Sequence, residues 1–317
     1  MWTMLRFFAR KPSLGIEITS SAVRLAALSG RGANLSVIHA KTADLPSGMV
    51  AESYASPNIR DAKGLSNVLR ECLAGGPQRL RRAALSLPDG VFRVQTLEFD
   101  QLPSKPADRE RLIRWRIEKS AAFDLSDTTL RYEVLRRQES GFTVLACVAK
   151  HAVIAQYEEL LMELGLEPWN VGLSSFYVLN LYAPVMMRKS SVFALAHLTE
   201  DAFTTIVTEA GGARFYRYKD VKRGVAAGIK SRFVREIEDS LHFYTHMDRT
   251  QTSEVQHLYV TGESTLPYDL VEGLSTATSL NAEVLSPADI IAQGGQGGTA
   301  SAWLVSMAAA LGAGCAI

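Results

Sequence analysis

Asp239, His242 and His246 fall three and four residues apart in a stretch of helical periodicity, so one helix face would carry all three. These are ligand types that zinc accepts, but a site needs a third or fourth ligand with an open position, and no HExxH is present. An ordinary helix surface is the plainer reading. Ser20, Ser21 and Ser264 fall in turns whose hydroxyl and N–H groups could cradle a phosphate, or serve only as turn residues. Arg79, Arg81 and Arg82, then Arg109, Arg111, Arg114 and Arg116, are the densest basic stretches. Asp108, Glu110 and Glu118 interleave with the second, as on a salt-bridged, solvated face. Trp115 within it could instead anchor an interface. No Ser/His/Asp or Cys/His order, Walker loop or flanking carboxylate pair stands out. Motifs alone give no catalytic reading.

The elements that must position these residues belong to a chain of 317 residues, long enough for two domains at about 100–200 residues each. Hydrophobic residues make up 47% and charged residues 21%, as in an ordinary globular protein. With 34 Lys+Arg against 33 Asp+Glu, the net charge of +1 argues against a dedicated nucleic-acid binder. Cys72, Cys147 and Cys315 are far apart and odd in number, which fits a reducing compartment. The nearest approach to a spanning segment, Ala302–Ile317, is short and broken by glycine. Trp2, Leu5, Phe7 and Phe8 are interrupted by Arg6 and Arg10, so no secretory core forms. Frayed residues before the first strand are a plainer reading of that segment than a surface-seeking one.

One pattern occurs twice. Strands are expected at Leu14–Ile18, Ala22–Leu28 and about Asn34–Lys41, separated by Thr19-Ser20-Ser21 and a Gly-rich turn at 29–32. The plan returns at Val192–Ala196, Ala202–Thr208 and Ala213–Asp220; Leu14 to Val192 is 178 positions and Asn34 to Arg214 is 180. Between the copies, helices are expected at Leu65–Leu73, Asp108–Ser120 and Val153–Leu164, the last capped by Gly165. Strands are expected at Arg82–Leu87 and Val91–Phe99, and a hairpin joins Arg131–Gln138 to Thr143–Lys150. A long helix at Gly228–Thr245, a buried strand at Val255–Val260 and a closing helix at about Ala300–Leu311 follow. The result is a pair of similar α/β lobes, with the cleft between them the place for a ligand.

Read in order, Leu14–Leu25, Leu87-Pro88-Asp89 with Val91–Phe99, Ile113–Glu118, Leu161–Pro168, Arg235–Leu241 and Leu258–Gly262 resemble the PilM family of type IV pilus assembly proteins. The resemblance implies an α/β, two-lobed actin-like fold (a duplicated ribonuclease-H-like fold), similar to FtsA, with an inserted small α+β subdomain. It implies a first lobe beginning with residues 1–88, an inserted partner-binding subdomain at 89–168 and a connecting helix at 169–190. A second lobe at 191–299 would carry a helical insertion at about 222–250, and residues 300–317 would close onto the first lobe.

The resemblance also places a nucleotide site at Glu17, Thr19, Ser20, Ser21, Arg235, Glu236, Asp239, Ser240, Gly262, Glu263 and Ser264. ATP-binding members carry Asp and then Gly in the first turn, where this chain has Glu17 and Thr19. Near Ala194–Leu198 neither acid nor glycine remains, and a Gly-Gly pair has become Gly262-Glu263. A β-branched residue or a carboxylate at these places opposes close approach of phosphate. The expectation is therefore a degenerate site with no cofactor, in place of ATP with magnesium, and a protein that is not an enzyme. The implied function is a cytoplasmic scaffold, peripheral at the inner membrane through partners, binding the cytoplasmic tail of a PilN-like bitopic protein. Val91, Phe92, Arg93, Val94, Trp115 and Phe123 are the expected tail contacts. Assembly ATPases and a platform protein are further implied partners, nucleic acid is not, and self-assembly stays open. The alternative is a working ATPase with divergent phosphate turns.

Overall fold

The computed structural model describes residues 14–30, 36–77, 79–120, 125–138, 141–200, 202–209, 212–221, 229–247, 254–262, 268–286 and 304–310. The Trp2–Phe8 segment, the Gly-rich loop after Gln293, and Phe123, Glu263, Ser264 and Cys315 lie outside them. The chain forms two compact units: residues 1–88, 153–181 and 291–316, and residues 89–152 with 182–290.

The first unit is built on a five-stranded sheet. Its strands are β1 (Leu14–Ile18), β2 (Ala22–Ser29), β3 (Ser36–Asp44), β4 (Arg82–Leu87) and β8 (Glu167–Leu173), in the order β3-β2-β1-β4-β8. β1 to β3 form an antiparallel meander, while β4 runs parallel to β1 and β8 parallel to β4. Every residue of β1 is buried, which accounts for its nearly unbroken apolar run. Helix α1 (Ala62–Leu73) buries Leu65, Leu69 and Cys72, and the Asp61 carboxylate caps it by accepting the Gly64 N–H at 2.8 Å. Helix α3 (His151–Glu163) ends where Gly165 takes φ 74° and the Leu166 N–H closes on the Leu161 carbonyl at 2.9 Å. Helix α4 (Ser174–Met186) follows β8 directly, and helix α7 (Leu304–Ala310) lies on β1, β2 and β4.

The second unit repeats that sheet with β9 (Val192–Leu198), β10 (Ala202–Glu209), β11 (Gly212–Asp220), β12 (His257–Gly262) and β13 (Asn281–Val284). Their order, β11-β10-β9-β12-β13, has the same sequence of antiparallel and parallel pairs. Even a bulge recurs, between Ala27 and Leu28 of β2 and between Val207 and Thr208 of β10. Helices α5 (Ile229–Met247) and α6 (Tyr268–Thr278) pack on this sheet through Phe233, Ile237 and Leu274, against Phe203, Phe215 and Leu258.

The same unit holds a three-stranded antiparallel sheet, β5 (Arg93–Phe99), β6 (Thr128–Gln138) and β7 (Gly141–Lys150), in the order β5-β7-β6. Helix α2 (Pro106–Ser120) seats Ile113 and Ile117 on Leu97, Leu130, Val144 and Val148. β11 serves both bodies. Phe215, Arg217 and Lys219 meet α5, whereas Arg214, Tyr216 and Tyr218 meet Thr143, Asp89 and Gly90. One expected strand is shorter than its pattern suggests. Asp89–Val91 form a 3-10 turn, closed by the Phe92 N–H on the Asp89 carbonyl at 3.0 Å, and β5 begins only at Arg93.

Candidate functional site

The first hairpin turn joins β1 to β2, and Thr19 organises it. Its N–H bonds the Ala22 carbonyl at 2.9 Å, and its hydroxyl donates to the same oxygen at 3.2 Å. The Thr19 hydroxyl oxygen in turn accepts the N–H groups of Ser21 at 3.3 Å and Ala22 at 3.0 Å. The Ser20 N–H goes to the carboxylate of Glu52, 32 residues along, at 3.1 Å. Each backbone donor from Thr19 to Ala22 therefore has a protein acceptor, and one acceptor is an anion. A glycine turn presents such N–H groups to phosphate; this turn spends them internally. Glu17, at the end of β1, is buried and pairs with Arg24 of β2 at 3.3 Å.

The second hairpin turn repeats the first. Thr199 N–H bonds the Ala202 carbonyl at 2.9 Å, its hydroxyl donates to that oxygen at 3.0 Å, and it accepts the Ala202 N–H at 3.2 Å. Thr19 and Thr199 are 180 positions apart, so His197 stands where Glu17 stands in the first copy. The sequence reading located the missing acid and glycine near Ala194–Leu198; the structure sets the matching trio at His197, Leu198 and Thr199. His197 is buried and its Nδ1 lies 2.9 Å from the Thr261 hydroxyl. Burial pushes its ring below the ordinary imidazole value, opposed by the nearby Asp89 carboxylate. That carboxylate accepts hydrogen bonds from Thr204 at 2.7 Å and Tyr216 at 2.9 Å.

Two of the helix residues expected at the nucleotide site, Ser240 and Glu236, are engaged within the protein. Ser240 is fully buried and donates to the Glu236 carbonyl at 2.6 Å, and Glu236 pairs with Lys219. Arg235 and Asp239 are exposed on α5, and Gly262 ends β12 half-buried. The histidines do not converge with Asp239. His242 Nε2 lies 3.8 Å from Glu238, and His246 Nδ1 bonds the His242 carbonyl at 2.8 Å. Among the described residues no three metal-ligand types lie together.

Of the expected tail contacts, Val91 and Phe92 are buried and so present no side chain to a partner. The apolar run read there as strand edge is core. Arg93 and Val94 are half-buried on β5, an edge strand of its sheet. Trp115 is 51% exposed on α2, with Lys119 Nζ 5.0 Å from the ring centre. Sequence reading missed Glu52, Thr199 and the bonding of Asp89. The offset of 180 between the two Thr-x-x-Ala turns would have marked Thr199; nothing local marks Glu52.

Two five-stranded sheets of the same order and pairing, each opened by an equivalent hairpin, define an actin-like ATPase fold. No protein-family profile matches the sequence, and no curated protein matches it. Among solved structures the chain is similar to one from the PilM–PilN type IV pilus biogenesis complex. That likeness has a TM-score of 0.76 at 19% identity, over 96% of this chain and 99% of the other. A protein of unknown function with an actin-like ATPase fold from Bacteroides thetaiotaomicron matches at TM-score 0.52 and 12% identity, over 87% and 91%. The cytoplasmic domain of EpsL, an inner-membrane component of the type II secretion system of Vibrio cholerae, matches at 0.50 and 13%, over 93% of each chain. At these identities the likeness is one of fold.

Proposed function

We propose that this chain is a non-hydrolysing actin-like scaffold of a type IV pilus or related secretion machine, binding the cytoplasmic tail of a PilN-like membrane protein. The observation that carries the reading is the near-complete mutual coverage with the structure from the PilM–PilN complex. The EpsL likeness supports the same setting, since that protein belongs to a secretion apparatus. Among the described residues no helix is long and apolar enough to cross a membrane; in this reading membrane attachment comes through the partner. The working location is the cytoplasmic face of an inner membrane. Assembly ATPases and a platform protein are the further partners, and residues 89–168 the partner-binding insertion. An extended tail would add to the edge of β5 beside Arg93 and Val94, with backbone hydrogen bonds giving affinity and side-chain pockets giving selectivity. Calorimetry of the full chain with a synthetic PilN-like tail peptide tests this. Saturable binding weakened by Val94→Glu is expected, and no heat at high micromolar peptide sinks the reading.

The internal bonding of both hairpin turns supports the absence of turnover. The competing reading, an active ATPase, rests on the carboxylate that Glu17 retains at the end of β1. It requires millimolar Mg-ATP to raise the melting temperature, because a ligand held by the native state stabilises it. An unchanged melting temperature is expected.

A further inference from the structure

Helix α2 carries its charge unevenly. Asp108 pairs with Arg111 at 2.7 Å and Glu110 with Arg114 at 3.3 Å, so those four charges cancel on the helix. Among the described residues Lys105, Arg109, Arg116 and Lys119 have no ion-pair partner, and Glu118 is the one unpaired acid from Lys105 to Ser120. The four cations share a line. Counted from Lys105 they stand at i, i+4, i+11 and i+14, with Leu112 at i+7, which at 3.6 residues per turn is one stripe along the helix. The Arg109 N–H on the Lys105 carbonyl at 3.0 Å brings Lys105 into that line. Glu118, one position before Lys119, points about 100° away from it. Glu98 of β5 alternates with Leu97 and so is on the sheet face away from α2, and Asp127 adjoins Thr128, on the opposite flank that Arg114 reaches. With Asp100 of the preceding turn counted as well as Glu118, four cations still stand against two acids. Lys105, Arg116 and Lys119 are exposed; Arg109 donates to the carbonyls of Pro103 and Ser104, which leaves its charge in place. Beside the stripe is the exposed Trp115 ring, with Lys119 over it.

We propose that this stripe of α2 rests on the anionic headgroups of a lipid bilayer, its four cations meeting phosphates while the Trp115 ring lies at the interface. A cluster of four or more basic residues on one surface is drawn to an anionic leaflet, and Trp is a residue type that settles between headgroups and water. The shape favours lipid over an acidic peptide. The stripe runs about 21 Å along a convex helix whose N–H groups are spent internally, so an extended peptide finds neither a groove nor backbone bonds there. Headgroups move laterally and meet cations at any spacing. Ile113 and Ile117 are seated in the protein core, so α2 lies on the headgroups and does not sink its apolar face into the acyl chains. The contact is direct, additional to attachment through a partner, and does not rest on the tail-binding reading.

The test is co-sedimentation of the full chain with vesicles. Phosphatidylcholine vesicles containing phosphatidylglycerol are expected to bind it, less so as salt is added, and pure phosphatidylcholine vesicles to leave it in solution. The double variant Arg116→Glu with Lys119→Glu should weaken binding about tenfold or more, and Trp115→Ala by a smaller factor. All three side chains are exposed, so these variants should keep the wild-type melting temperature and report on binding alone. Arg81→Glu, which reverses an exposed cation of the first unit, should leave binding unchanged. No binding, equal binding to neutral vesicles, indifference to the double variant, an equal loss with Arg81→Glu, or displacement from the vesicles by a low-micromolar peptide rich in Asp and Glu overturns the proposal.

Discussion

The two five-stranded sheets are copies in topology and opposites in polarity at one position. In the first, the pair one step before the hairpin's last is an acid and a base, Glu17 with Arg24. In the second, the same register pairs His197 with Thr204, and each turns to another partner, Thr261 and Asp89. The turn beyond each pair is bonded in one way, by a threonine hydroxyl that takes an N–H three residues on. The backbone bonding is the same in both copies while the paired side chains before the turn differ. The comparison teaches that the hairpin closes in one way whatever side chains precede its turn.

Breaking the first pair should have the largest effect. Arg24→Met leaves the buried Glu17 carboxylate without its ion-pair partner, and unfolding in urea is expected to cost about 3 kcal/mol less. Adding Glu17→Gln should recover much of that loss; a double variant as weak as the single one would mean that the pair is not the dominant interaction there. Next come the turns. Thr19→Val and Thr199→Val should each cost about 1 kcal/mol, since each leaves a turn N–H without its hydroxyl acceptor. Unequal losses would show that the two closures are not energetically alike.

The smallest effect concerns pH. Burial depresses His197 in the folded state, so its contribution is present above the unfolded imidazole value, about 6.5. It is lost as pH falls below that value, where the unfolded chain takes up a proton that the native ring resists. His197→Asn should flatten the fall in urea midpoint between neutral and mildly acidic pH. An unaltered slope would assign that fall to other groups.

Much of the architecture was legible because it depends on local patterns. The apolar run of β1, the spacing of Leu65, Leu69 and Cys72, and the Gly165 cap each announced an element, and the repeat announced the duplicated sheet. β8, α6 and β13 were not foreseen, and the 169–190 stretch was read as helix throughout although β8 reaches Leu173. A short strand that joins a sheet through distant partners carries little signal of its own. The β-branched Thr19 in the first turn was visible in the sequence, but Glu52 on the Ser20 N–H depends on a contact 32 residues away. Val91 and Phe92 misled for a similar reason: an apolar pair reads alike whether it lines a groove or fills a core.

β11 ends its sheet, yet both of its faces are occupied by specific partners. Side chains alternate along a strand, so a slip of one residue would present Tyr216 to α5 and Arg217 to Asp89 at the same time. The register is therefore set twice over. An insertion within β11 cannot be absorbed by sliding, whereas β3, at the matching edge of the other sheet and largely exposed, has far less to lose. The edge that usually tolerates change is, in the second sheet, the strand whose length the fold can least afford to alter.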